Sequence, residues 1–125
     1  MTVLKEQISS ERLAEAAVAG MQDRKAKDIC LVDLRNIGNA MCDYFVICHG
    51  TSNTNVEAIA DSVEDEIRIN LKEKPFHKEG KDNSEWILLD YFDVVVHVFQ
   101  KEKRDFFGLE ELWADAPITY FEDEN

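Results

Sequence analysis

Residues Trp86–Gln100 read WILLDYFDVVVHVFQ, and this stretch decides the fold. Two apolar runs, Trp86–Leu89 and Val94–Phe99, flank a tip of Asp90, Tyr91, Phe92 and Asp93. Runs this apolar mark strands in the middle of a sheet, covered on both faces. The tip breaks turn chemistry. Tight hairpins favour Gly or Asn where φ is positive, and bulky aromatics resist that region. Here two aromatics stand between two carboxylates with no Gly beside them. Broken local rules mark function or strain. One reading is an acidic, aromatic contact point for a basic partner. The other is a longer type I turn whose aromatics fold back on the core.

Working outward, Val56, Ile59, Ala60, Val63, Ile67 and Leu71 keep the helical period for about four turns. Thr51-Ser52-Asn53-Thr54-Asn55 offers several caps for this helix, and Pro75 stops it. Glu57 and Asp61 lie early while Arg68, Lys72 and Lys74 lie late, which complements the helix dipole. Upstream, Ile29–Leu34 and Asp43–Cys48 read as strands. Ser9 and Ser10 can cap a first helix with a narrow stripe of Leu13, Ala17 and Met21, which Gly20 weakens. Residues 76–84 read as a polar loop, and Lys101–Trp113 as a short helix carrying Phe106, Phe107, Leu109, Leu112 and Trp113. The expected fold class is α/β, a mixed sheet with packed helices in the order α-β-β-α-β-β-α. Residues 1–113 form the expected single domain, and residues 114–125 a mobile, acidic C-terminal tail.

A chain of 125 residues with 45% hydrophobic and 32% charged residues suits one globular domain with a real core. No apolar run approaches the roughly 20 residues of a membrane span, so no membrane partner is expected. The start, MTVLKEQISSERL, has neither a secretory core nor the Arg-rich, acid-poor character of a transit peptide, which leads to a cytoplasmic expectation. The net charge of −12 disfavours direct nucleic-acid binding, which needs Lys and Arg on phosphates. It favours a basic protein surface, although solubility alone explains a surplus of acids too.

Candidate chemistry is sparse. Cys30, Cys42 and Cys48 form no CxxC and sit in strand-like surroundings, so they read as buried free thiols. His49, His77 and His97 are scattered and give a metal site little support. The GTSNTN join at residues 50–55 could hold an anion at a helix start, but it lacks a P-loop Lys and reads better as capping. Metal-dependent nucleotidyl transfer needs paired carboxylates on one strand face. Asp43 could supply one, but Phe45 holds the second position. No nucleophile elbow or GxGxxG is present. A binding protein without cofactor is therefore expected over an enzyme.

Several segments together resemble the ribosomal silencing factor family, also called the Iojap family. They are Asp33-Leu34-Arg35-Asn36, DYFVICHGTSNTNVEAIADSVEDE at residues 43–66, WILLDYFDVVVHVF at residues 86–99, and Arg104 with Phe107, Leu109, Glu110, Leu112 and Trp113. The resemblance implies a nucleotidyltransferase-like α/β fold without catalysis. It implies binding to the large ribosomal subunit, through its protein numbered fourteen, which blocks docking of the small subunit and represses translation when nutrients are scarce. Organelle members of the family serve large-subunit assembly instead, and the start of this chain points to the bacterial, cytoplasmic type. At the tip Phe92 stands where many relatives carry Gly. Trp86, Asp90, Tyr91, Phe92 and Asp93 are the expected partner-binding residues. A residual nucleotide-binding or nucleotidyltransferase enzyme and a homodimeric scaffold are the rivals.

Overall fold

The computed structural model describes residues 9–123. Ser9 caps α1 (Ser10–Asp23), its side-chain oxygen accepting from the Arg12 N–H. Then follow β1 (Lys27–Asp33), β2 (Tyr44–Gly50), α2 (Asn53–Leu71), β3 (His77–Glu79), β4 (Trp86–Asp90), β5 (Val94–Gln100), α3 (Lys101–Phe107), α4 (Leu109–Leu112) and β6 (Ile118–Tyr120). The sheet order is β3-β4-β5-β2-β1-β6. Only β2 and β5 run parallel, and the other neighbours are antiparallel.

One face of the central strands is covered by α1 and α2. Ile87 and Leu89 of β4, Val94, Val96 and Val98 of β5, and Val46 and Cys48 of β2 meet the apolar stripes of α1 and α2. The stripe of α2 lies where its period places it, with Val56, Ile59, Ala60, Val63 and Ile67 out of contact with solvent. Ser52 caps α2 at its start, and Lys72 in the left-handed conformation closes it before Pro75. Gly20 has a packing role. A Cβ there would lie 2.7 Å from the Cα of Val63, so the two helices cross backbone to backbone. The Ser62 hydroxyl donates to the Gly20 carbonyl at 2.8 Å across this crossing.

The mixed α/β class holds, but the element order is longer than expected. Within the expected loop, His77–Glu79 adds a strand to the outer edge, paired to Leu88–Asp90. Of the expected mobile tail, Ile118–Tyr120 pairs with Cys30–Val32, and Ala116 is buried. Residues 124–125 lie outside the described residues. The expected last helix is broken at Gly108, whose φ of 57° ends α3 and starts α4. The expectation that both faces of the hairpin strands are covered is half right. On the second face α3 and α4 cover only part of the sheet, and Phe45, Leu88 and Val95 stay half-exposed.

Candidate partner-binding site

The hairpin tip is a strained, tightly tied turn. The Asp93 N–H donates to the Tyr91 carbonyl at 2.9 Å, and Phe92 sits between them at φ 76°. Such three-residue turns are rare and strained, more so with a bulky residue at the centre. Asp90 stabilises it, its Oδ1 accepting from the Phe92 N–H at 2.8 Å. The Asp93 carbonyl also accepts from the N–H groups of Asp43 and Tyr44, at 2.8 and 3.1 Å. The tip is thereby fixed to the start of β2.

The five expected partner-binding residues do not share one surface. Phe92 is 64% exposed and its ring stacks on exposed Phe76, with centroids 4.5 Å apart. Tyr91 instead turns inward. It is buried with the core of the helix-covered face, and this burial raises its hydroxyl pKa. Its parity explains this, because Tyr91 follows Ile87 and Leu89 on that face. Trp86 is half-buried on the open face, stacked on Phe99 at 4.9 Å and against Phe107 at 4.6 Å. Its indole N–H donates to Nδ1 of His97 at 3.1 Å.

Three carboxylates gather at this end of the sheet. Asp43, Asp90 and Asp93 all act on the Cys42 thiol, whose pKa rises to about 11, chiefly through burial. Among the described residues none of the three acids joins an ion pair. Among the described residues the Asp43 carboxylate accepts only from the Ser10 hydroxyl, at 2.8 Å. The cation of the nearby motif, Arg35, is already engaged with Asp33 at 2.8 Å, which holds the Asp33 carboxyl below its usual range.

Beside the acids the uncovered sheet forms an open cleft of about 540 Å³. Phe45, Leu88, Val95 and His97 give its floor, Trp113 and Met41 its sides, and Asp90 and Phe92 its rim. Met41 is 96% exposed. The sequence reading missed this cleft except at Asp90 and Phe92. Alternation places Trp86, Leu88 and Asp90 on one face, but their meeting with Phe45 depends on register across two further strands.

The opposite end of the sheet is plugged. Arg104 is buried and donates to both Glu110 carboxylate oxygens at 3.0 and 3.1 Å, to His49 Nδ1 at 3.0 Å and to the Lys27 carbonyl at 3.3 Å. Burial and Arg104 together lower the His49 pKa, so the imidazole stays neutral and accepts. Residues 50–55 act as helix capping: Ser52 accepts from the Asn55 N–H and Asn55 from the Thr51 N–H. Among the described residues no three His, Cys, Asp or Glu side chains converge as a metal site. No described helix is long and apolar enough to cross a membrane.

The family model described as "Ribosomal silencing factor during starvation" matches residues 7–125. The chain belongs to the ribosomal silencing factor family. It is 40% identical over 113 residues to the protein named ribosomal silencing factor RsfS of Bacillus subtilis, covering 90% of this chain and 93% of that one. To the protein of that name from Halalkalibacterium halodurans it is 38% identical over 118 residues, covering 92% and 97%. A crystal structure of a Chromobacterium violaceum protein superposes with a TM-score of 0.80 at 30% identity, covering 86% of this chain and 88% of that one.

Proposed function

We propose that this protein docks on the large ribosomal subunit, holds the small subunit away and so represses translation in nutrient scarcity. The docking surface is the hairpin tip with the adjoining open face, and its target is the basic surface of the large-subunit protein numbered fourteen. One observation carries the reading: Asp90 on the rim of an apolar cleft, with Asp43 and Asp93 close by around Cys42, and none of the three in an ion pair among the described residues. A chain of net charge −12 is repelled by bare ribosomal RNA, so a basic protein patch must receive it. Exposed Phe92 and Met41 supply apolar contact area beside the acids, where hot spots form.

Binding, rather than catalysis, is the work of this nucleotidyltransferase-like sheet. Two residues after Asp43, where paired-carboxylate chemistry needs an acid, Phe45 packs edge-on against His97 and Trp113. Blocking subunit joining needs only bulk at the interface, in the bacterial cytoplasm where ribosomes assemble. Sedimentation with isolated large subunits, followed by addition of small subunits, tests this. The protein should travel with the large subunit and lower the yield of whole ribosomes. An equal yield at saturating protein would contradict the proposal.

A further inference from the structure

His97 holds an unanswered hydrogen-bond donor in the cleft floor. The residue is 4% exposed and its ring lines the cleft. The Trp86 indole N–H can only donate, so Nδ1 of His97 accepts and the ring proton sits on Nε2. Burial keeps the imidazole neutral, its pKa pushed down to about 3. Nε2 has no hydrogen-bond partner among the described residues. Buried donors are nearly always paired, and an orphan next to a cleft calls for an acceptor from outside. Phe45 stands edge-on to His97, with centroids 4.7 Å apart, and is itself only half-buried.

Resting on the docking reading above, we propose that the cleft is a socket for a turn of the basic protein partner. The turn inserts one apolar side chain between Phe45, Leu88 and Val95. It sets a Lys or Arg against Asp90 and gives an oxygen acceptor to the Nε2–H of His97. Three observations select this occupant. The apolar surface continues past the cleft through Met41, Phe92 and Phe76, 96%, 64% and 69% exposed, which a small molecule in the cleft would leave uncovered. Asp90 at the rim, with Asp43 and Asp93 near it around Cys42, favours positive charge. A second copy, seated by two-fold symmetry, would bring the same acids face to face.

The test is sedimentation binding of the full chain to isolated large ribosomal subunits, with wild type, Leu88→Lys and His97→Phe compared. Leu88→Lys fills the half-exposed floor with a charge that a basic partner repels. His97→Phe removes the donor while keeping a flat ring. Circular dichroism establishes that each variant is folded, and Leu88→Lys carries the test if His97→Phe is not. Leu88→Lys should weaken binding at least thirtyfold and His97→Phe about tenfold. Wild type bound with both variants within threefold of it would overturn the socket and leave the docking function standing. Loss with Leu88→Lys alone, beside a folded His97→Phe that binds like wild type, would overturn the acceptor bond. Failure of wild type itself to bind would remove the docking function and the socket with it. A wild-type dimer that Leu88→Lys splits, seen by sedimentation velocity, would give the cleft to a second copy.

Discussion

At the carboxyl ends of β2 and β5 a buried charge is answered from within, and at their amino ends half-exposed and exposed carboxylates have no ion-pair partner among the described residues. Arg104 spends its donors on Glu110, His49 and the Lys27 carbonyl, and so fastens α3 and α4 to the sheet. In open α/β sheets the carboxyl ends of the parallel strands form the usual ligand crevice. Here that position is occupied by the protein's own cation. Among the described residues, the amino ends carry three acids outside any ion pair and Phe92 at positive φ, and the cleft beside them holds the unpartnered Nε2 of His97. Satisfied charge serves the fold, whereas the acids near the apolar cleft are the charges we assign to a partner. The strain at Phe92 points the same way, since folds retain such turns where function needs the geometry.

The largest expected effect comes from breaking the satisfied end. Arg104→Ala strands Glu110 and His49 and should cost about 2–4 kcal/mol, at the lower side of the range for a buried pair because Glu110 is partly exposed. Glu110→Gln keeps an acceptor but loses the charge assistance, so about 1–2 kcal/mol is expected. Urea unfolding midpoints of both variants check these values. Equal small losses from both would mean that Arg104 is not the fastening.

A second contrast is in pH. His97 is neutral in the fold, its pKa lowered to about 3 by burial, while the unfolded ring titrates near 6.5. Between these values the unfolded chain binds more protons, so stability falls as pH falls below 6.5. The loss from His97 alone should be about 1 kcal/mol between pH 7 and 5.5. His97→Phe should remove that share of the slope and leave the share of His49, whose pKa is also lowered. Identical pH slopes for wild type and variant would contradict the buried neutral ring.

The smallest expected change in stability is at the tip. Phe92→Gly relieves the positive φ, but loses the stack on Phe76 and adds freedom to the unfolded chain. These terms oppose one another, so stability should move by less than about 1 kcal/mol. Binding to large subunits should nonetheless fall about fivefold. A large gain in stability with unchanged binding would make the aromatic there a mere local defect.

Much of this contrast was legible in the sequence, unevenly. The long apolar stripe of α2 and its Ser52 cap were plain, because helix period and capping are local signals. Phe92 announced itself by breaking turn rules, and its φ bears that out. β3 was invisible because all three of its residues are exposed and carry no alternation. β6 was hidden in an acidic segment, and its pairing depends on β1, nearly ninety positions earlier. Tyr91 was misjudged although its parity with Ile87 and Leu89 could have placed it inside. The cleft was beyond reach, since Met41, Phe45, Leu88, Val95 and Trp113 meet only through sheet register and helix docking.

Charge reversal at the tip tests the central claim most directly. Asp90→Lys with Asp93→Lys should leave the fold intact, at a cost of about 1 kcal/mol for the bond that Asp90 accepts from the Phe92 N–H. Binding to isolated large subunits should fall by about 2 kcal/mol or more, roughly thirtyfold, because both acids would then oppose basic residues. Binding within about threefold of wild type, in a variant folded by circular dichroism, would contradict the account and move the docking surface to another face.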